Sequence, residues 1–222
     1  MSLTVSNGLL YLDGQVCREV GLNGARIFWR LLYNSSDTEW QQNLLSARQS
    51  GYKVVRVFVH IDNPAAVGGL NTYGTATGFS AAFYVLMDAF VAYAASIGLQ
   101  LIPCLFPLYT TVPTYKGETA NALANSASAS RAYLRSSVTE FVTRYNASPA
   151  IAAWQFTNEW SNYSLLGVVP SGADSVLDVI TQDALIDSLR DMAQAVRAVD
   201  SARAILSGNG GCWYSTTANL YG

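Results

Sequence analysis

The sequence predicts an α/β fold of the (β/α)8 TIM-barrel type, and three observations predict it. Apolar runs of strand length alternate with segments whose apolar residues recur at helical spacing, an order that gives a parallel sheet with right-handed crossovers. The connections after the strands, near residues 60 to 79, 107 to 127, 157 to 174 and 208 to 222, are long, and those after the helices are short. That asymmetry suits a barrel that keeps its variable loops on one functional face. The stretches from Ala47 to Val55 and from Ala94 to Ile102 also share one plan: a helix end, a glycine able to adopt the left-handed conformation, and a β-rich run.

Taken in order, Thr4 to Gln15 holds two short apolar runs with Asn7-Gly8 and Asp13-Gly14. These are strong hairpin signals, and they predict an N-terminal β-hairpin that plugs one end of the domain. Val16 to Leu22 predicts the first barrel strand, ending at Asn23-Gly24. Ser36-Asp37-Thr38-Glu39 has the pattern of a capping box and opens a helix with Trp40, Leu44, Leu45 and Arg48 at helical spacing. Val54 to Val59 is the second strand and Leu99 to Phe106 the third. Between them, Ser80 to Ile97 predicts a helix whose Phe83, Met87, Phe90 and Ala94 share one apolar face. A helix from about Ser130 to Tyr145 leads to the fourth strand at Ile151, and one from about Val176 to Val199 leads to the fifth, Ala204 to Ser207. This makes about five of eight strand-helix units, in a single domain over residues 1 to 222.

Composition excludes several classes of function. Half of the 222 residues are hydrophobic, enough for one substantial core, while only 13% are charged and the formal net charge is -2. The Lys and Arg residues are scattered, so no nucleic-acid surface is expected. No apolar run approaches the length of a membrane span, and the N-terminus lacks the pattern of a signal peptide. Cys17, Cys104 and Cys212 are far apart, which excludes a disulfide framework, and the first two read as buried thiols. With His60 the lone histidine, a multi-histidine metal site is impossible, no cofactor is called for, and acid-base chemistry falls to carboxylates.

One such carboxylate stands out. The run Ile151 to Phe156 supplies a buried strand, and the chain turns polar at Asn158-Glu159-Trp160, where a barrel strand would emerge at its carboxyl end. Either of the first two residues would also serve as a cap for a following helix.

With these pieces in place the chain resembles the retaining β-glycosidases of the cellulase-like (β/α)8 clan, in particular family 5 with its endoglucanases and β-mannanases. The residues that carry the resemblance are an opening hairpin before Glu19-Val-Gly-Leu-Asn23, the second-strand Gly51-Tyr-Lys-Val-Val-Arg56-Val, and the fourth-strand Trp154-Gln-Phe-Thr-Asn158-Glu159. The resemblance implies hydrolysis of β-glycosidic bonds in a β-glucan or β-mannan. Glu159 would be the acid/base, its pKa lifted by burial beside Trp160 and by a second carboxylate, and Asn158 would hold the sugar 2-hydroxyl. Arg56 would lie under the site and stabilise its carboxylates, although a buried arginine needs an acid partner in any fold. Trp29, Tyr33, Tyr109, Tyr115, Trp160, Tyr163, Trp213 and Tyr214 fall at or just past strand ends, where aromatic faces suit pyranose rings. Each would equally serve as a core residue. The resemblance also implies a secreted or extracellular protein.

The chain departs from the family pattern in two places. The third strand ends Pro103-Cys104-Leu105-Phe106-Pro107 without the histidine many relatives carry there; His60 would partly replace it, although a lone histidine reads more readily as a satisfied core residue. No segment represents the glutamate nucleophile of the seventh strand, and five strands leave a sheet with open edges. At roughly 45 to 50 residues per unit, a closed barrel needs about 350 or more. The expectation is therefore the N-terminal portion of a longer hydrolase, or a part completed by another chain. Two other readings stay open: a carbohydrate-binding barrel without turnover, and an open doubly wound domain. The second lacks a Gly-x-Gly-x-x-Gly turn, and no Gly-x-Ser-x-Gly elbow supports a serine hydrolase.

Overall fold

The structure, a computed structural model, describes residues 3–7, 9–17, 21–160 and 182–208. The expectations placed on Glu19, Tyr163, Cys212, Trp213 and Tyr214, and on the first residues of the helix near 176, lie outside these residues.

The chain opens with three short strands, β1 (Leu3–Ser6), β2 (Leu9–Leu12) and β3 (Gln15–Val16), paired antiparallel in that order. Asn7, Asp13 and Gly14 all take positive φ at the two reversals, the backbone sense that matches the twist of paired strands. Val16 therefore belongs to the plug and pairs with Tyr11, a correction to the expectation that it begins the first barrel strand. A second turn signal at Asp13-Gly14 folds it back before the barrel starts.

The main sheet is parallel, in the order β4 (Leu22–Asn23), β5 (Val54–Phe58), β6 (Gln100–Phe106), β7 (Ala153–Thr157), β8 (Ala204–Leu206). Sequence order and spatial order coincide, as they do when each strand-helix unit is laid beside the last around a barrel. Helices α2 (Glu39–Gln49), α4 (Ala81–Ser96), α6 (Ala129–Tyr145) and α7 (Gln182–Arg197) make the crossovers. Shorter helices α1 (Trp29–Tyr33), α3 (Leu70–Tyr73) and α5 (Thr111–Tyr115) and a 3-10 turn at Ala120–Ala124 break up the loops that follow the strands.

The outward residues of the strands pack on the helices. Val55, Val57 and Val59 meet a cluster in which the Phe28 ring lies 5.7 Å from Phe83 and 5.1 Å from Phe90, edge to face. Such pairs add roughly 1 kcal/mol each beyond area burial. The helix ends follow from the sequence. Ser80 and Ser128 cap α4 and α6 by accepting from the N–H of Phe83 and Arg131, and Glu118, a loop glutamate, accepts from Ala129 and Ser130 at the same α6 terminus.

The two repeated helix ends are Schellman motifs. At each, the glycine takes positive φ, 91° at Gly51 and 66° at Gly98, and the next residue donates back to the last turn, Tyr52 N to Ala47 O and Leu99 N to Ala94 O.

The capping box does not form. Thr38 caps α2 without a side-chain bond, because Glu39 reaches sideways to Arg30 at 2.5 Å and Asp37 bonds both Arg30 and the Glu39 N–H. Cys104 is buried, whereas Cys17 is only half-buried between plug and barrel.

The plug seats on the amino ends of the strands. Leu3 and Leu12 pack with Val54, Ala152, Ala153 and Ala204, and Leu3 N donates to Ala152 O at 2.9 Å. Among the described residues no helix is long and apolar enough to cross a membrane.

Candidate active site at the carboxyl ends of the strands

Because side chains alternate along a strand, the face of β5 that places Val54 in the plug cluster also carries Arg56 and Phe58 into the barrel interior. Adjacent strands are in register there: Arg56 stands beside Asn23, Phe58 beside Cys104, and Cys104 beside Gln155. A charged side chain on this face needs several acceptors, and it has them. Arg56 donates from Nε to Gln155 Oε1 at 2.7 Å, from Nη1 to Asn23 Oδ1 at 3.1 Å and from Nη2 to Asn158 Oδ1 at 2.9 Å. Its guanidinium also lies 4.9 Å from the centre of the Phe58 ring. Among the described residues these hydrogen-bond acceptors are amides, where the sequence reading offered an acid. Arg56 thus ties three strand ends together and fixes the Asn158 amide with its oxygen inward, turning its donor nitrogen the other way.

At the end of β7 the backbone leaves the sheet abruptly. Glu159 adopts φ 56°, a left-handed conformation that costs a side-chain-bearing residue about 1–2 kcal/mol. Its N–H donates to Gly208 O at 2.6 Å, and Gly208, past β8, is itself left-handed at φ 77°. A Cβ at position 208 would stand 1.8 Å from Thr157 O and 2.3 Å from Gln155 Nε2, so glycine alone lets the two strand exits close on each other. Thr157 Oγ1 also donates to Ser207 O across this seam. The turn leaves Asn158 half-buried, Glu159 exposed and Trp160 buried at 1%. The exposure of Glu159 departs from the burial expected of it, since the left-handed turn carries it out of the layer that Trp160 enters.

The aromatic residues divide. Trp29 and Tyr33 line an open cavity of about 710 Å³ beside β4, together with Asn23, Arg26 and Asn43, and Tyr33 is 52% exposed. Arg26 lies 5.4 Å over the Trp29 ring, which in turn meets Phe58 at 6.0 Å, so this cavity and the Arg56 cluster share a wall. Trp29, Tyr109 and Trp160 are buried, filling the layer between the sheet and its loops, and they do not present the open stacking faces expected. Tyr115 is half-buried and donates to Thr75 O.

His60 is also packed rather than presented. Its ring lies 5.5 Å from Phe106 and 6.1 Å from Phe79, with Nδ1 3.1 Å from Ile61 O. Burial lowers its pKa to about 4, so it is neutral at pH 7 with the proton on Nδ1.

Reading the sequence missed Gln155 and Asn23 as partners of Arg56. Period-two alternation through Ala153, Gln155 and Thr157 was the signal for the first. The second is set by strand register.

The fold and the polar cluster at its rim define an α/β chain of the (β/α)8 TIM-barrel type, with five consecutive strand-helix units and an amino-terminal plug. No protein-family model matches the chain. It is 28% identical over 179 residues to "Probable mannan endo-1,4-beta-mannosidase C" of Aspergillus terreus, an alignment covering 71% of this chain and 43% of that protein. Among solved structures it is similar to the β-1,4-D-mannanase of Cryptopygus antarcticus, with TM-score 0.69 and 18% identity over 94% of this chain and 60% of that one. The β-mannanase of the blue mussel Mytilus edulis superposes with TM-score 0.68 and 18% identity, over 94% and 63% of the two chains. The chain thus spans less than two thirds of each of these relatives.

Proposed function

We propose that this chain carries part of the active site of a retaining β-glycan hydrolase, with β-1,4-mannan as its substrate. The observation that carries the reading is the Arg56–Asn158 hydrogen bond with Glu159 next along the chain, at the carboxyl end of β7. The relatives named as mannanases support the choice of substrate. In this reading Glu159 protonates the departing glycosidic oxygen and then deprotonates the attacking water, while Asn158 Nδ2 holds the 2-hydroxyl as positive charge develops on the ring. Arg56 holds Asn158 in place and keeps the field at the strand ends positive, which favours an anionic nucleophile nearby. That nucleophile, a second carboxylate about 5–5.5 Å from Glu159 in a retaining enzyme, comes from strands that close the barrel, in the same chain or another.

Two features support closure. Among the described residues β4 and β8 are each paired on one side only. On the plug face that seats Leu3 and Leu12, Val5 and Leu10 are paired with each other and 64% and 37% exposed, an apolar overhang that further strands would cover. Residues 1 to 222 are then one incomplete barrel domain of a secreted polysaccharide-degrading protein.

A carbohydrate-binding barrel without turnover is the second reading, and the exposure of Glu159 favours it, because a general acid works best where water is excluded. Glu159→Gln separates the two when reducing-sugar release from soluble β-mannan and β-glucan is measured on the protein with its barrel complete. The hydrolase loses at least about 100-fold in turnover and keeps its affinity for oligosaccharide. Turnover unchanged by the substitution removes Glu159 from the chemistry, and the absence of turnover in the parent protein leaves the binding role.

A further inference from the structure

The cavity beside β4 has a polar lining that neither the fold nor the proposed chemistry uses. Its floor is the turn from Gly24 to Ile27 at the carboxyl end of β4, and that turn is pinned to β5: Gly24 N donates to Arg56 O at 2.9 Å and Phe58 N to Ala25 O at 3.0 Å. Trp29, Arg30 and Tyr33 from α1 and Asn43 from α2 complete the wall. At about 710 Å³ the space falls within the range of small-molecule sites, roughly 300–1,000 Å³. Asn23 belongs to this wall and also accepts the 3.1 Å hydrogen bond from Arg56, whose Nη2 holds Asn158 at 2.9 Å. The cavity is therefore two hydrogen bonds away from the amide at the centre of the proposed chemistry.

The charge in this lining is of one sign. It contains Arg26 and Arg30 and no carboxylate. Arg30 is neutralised by Asp37 at 2.9 Å and Glu39 at 2.5 Å. Arg26 is exposed and makes neither an ion pair nor a hydrogen bond among the described residues, although its field reaches Asp62 on the loop after β5. What holds it is the Trp29 ring, 5.4 Å under the guanidinium. Such stacking occupies one face of the plane and leaves the N–H edge to donate. Tyr33, on the same wall, keeps 52% of its surface in solvent.

We propose that this cavity is a subsite for a uronic acid unit of the glycan: Arg26 donates to its carboxylate, and the Tyr33 ring packs on the C–H face of the sugar. The proposal rests on the glycan reading above and adds a charge preference to it. A guanidinium meets a carboxylate with two parallel hydrogen bonds, and an aromatic face suits a pyranose. A neutral sugar would leave the Arg26 fork to water.

The test is NMR titration of the 222-residue chain with methyl β-D-mannuronoside and methyl β-D-mannoside, which differ only in carrying a carboxylate or a hydroxymethyl group at C6. The uronide binds at least tenfold more tightly, with shifts at Arg26 and Tyr33, and its advantage shrinks as salt is raised. Arg26→Gln removes that advantage and leaves the affinity for the neutral mannoside within twofold, while Tyr33→Ala weakens both ligands. A parent chain without the preference, or a preference that survives Arg26→Gln, overturns the proposal. So does an equal loss of both ligands in Arg26→Gln, which marks a structural residue, and so does acetate competing as well as the uronide, which marks an anion site without sugar recognition. Mannohexaose and cellohexaose titrated onto the same chain report on the glycan reading separately. Binding of either leaves that reading standing whatever the uronide does, and a chain that binds none of these sugars overturns both.

Discussion

Arg56 on β5 and Asn158 at the end of β7 are joined by a 2.9 Å hydrogen bond that passes over β6, the strand between them. The same guanidinium serves Asn23 and Gln155, so one side chain orients three amides from two strands, β4 and β7.

Arg56→Lys is therefore not conservative. An ammonium lacks the planar fork and leaves at least one of the amide oxygens without its donor, which costs about 2 kcal/mol. Urea denaturation of the variant measures the loss. A change below about 0.5 kcal/mol means that the cluster contributes little to the fold.

His60 makes stability fall on acidification in a definite window. Its pKa is lowered to about 4 in the folded chain by burial, against about 6.5 unfolded. A depressed folded value means that the unfolded chain takes the proton first. Its contribution is complete above pH 6.5 and is lost as pH falls toward 4, roughly 3 kcal/mol in all. His60→Phe flattens this part of the stability–pH curve, measured by denaturation at half-unit intervals. A slope that survives the substitution assigns the effect to other groups.

Asp200 governs a lower range. Burial opposes its charge, but hydrogen bonds from Trp154 Nε1 and Arg203 outweigh burial and hold the carboxyl well below the usual carboxylate range. This contribution is present above about pH 4 and disappears as the solution becomes more acid. Arg203 also bonds the carbonyls of Asn146, Ser148 and Ile151, tying the turn before β7 to the turn before β8. Asp200→Ala leaves the half-buried Arg203 guanidinium without its anionic partner and the buried Trp154 indole N–H without its acceptor, and about 3 kcal/mol is lost. Guanidinium denaturation at pH 7 checks it.

Gly208→Ala tests the seam between β7 and β8. The added methyl meets Thr157 O, a backbone atom that cannot swing away, in a residue already at φ 77°. A loss of at least about 2 kcal/mol in a thermal melt is expected, together with weaker glycan binding because the Glu159 N–H is held by the Gly208 carbonyl.

Much of this architecture was legible in the sequence, wherever a local rule faces no competitor. Gly51 and Gly98 follow apolar helix ends, and no other residue there satisfies the terminal carbonyls as cheaply. Ser80 and Ser128 cap helices because nothing nearby draws them away. Ser36-Asp37-Thr38-Glu39 carries an equally good local signal, but Arg30 from α1 takes both acids, a contact that neighbouring residues alone do not reveal. Val16 was misplaced because β propensity is the same in a plug and in a barrel. At the rim, Asn158 and Glu159 were visible as polar residues ending a buried strand. Asn23 as a partner of Arg56 was hidden because strand register sets it, and the burial of Tyr109 and Trp160 was not foreseen because strand ends need large side chains to fill them whether or not a ligand is present.

The plug has a consequence for how the chain acquires its shape. Leu3 precedes every strand of the barrel in the chain, yet its backbone partner is Ala152 and its side chain rests among residues from 54 to 204. Closing so large a loop is entropically slow, so the opening strands must wait, with Leu3 and Leu12 still wet, until the fourth barrel strand has settled. A transition state in which Leu3→Ala changes the unfolding rate and leaves the refolding rate alone is the kinetic imprint of a plug strand that comes home last.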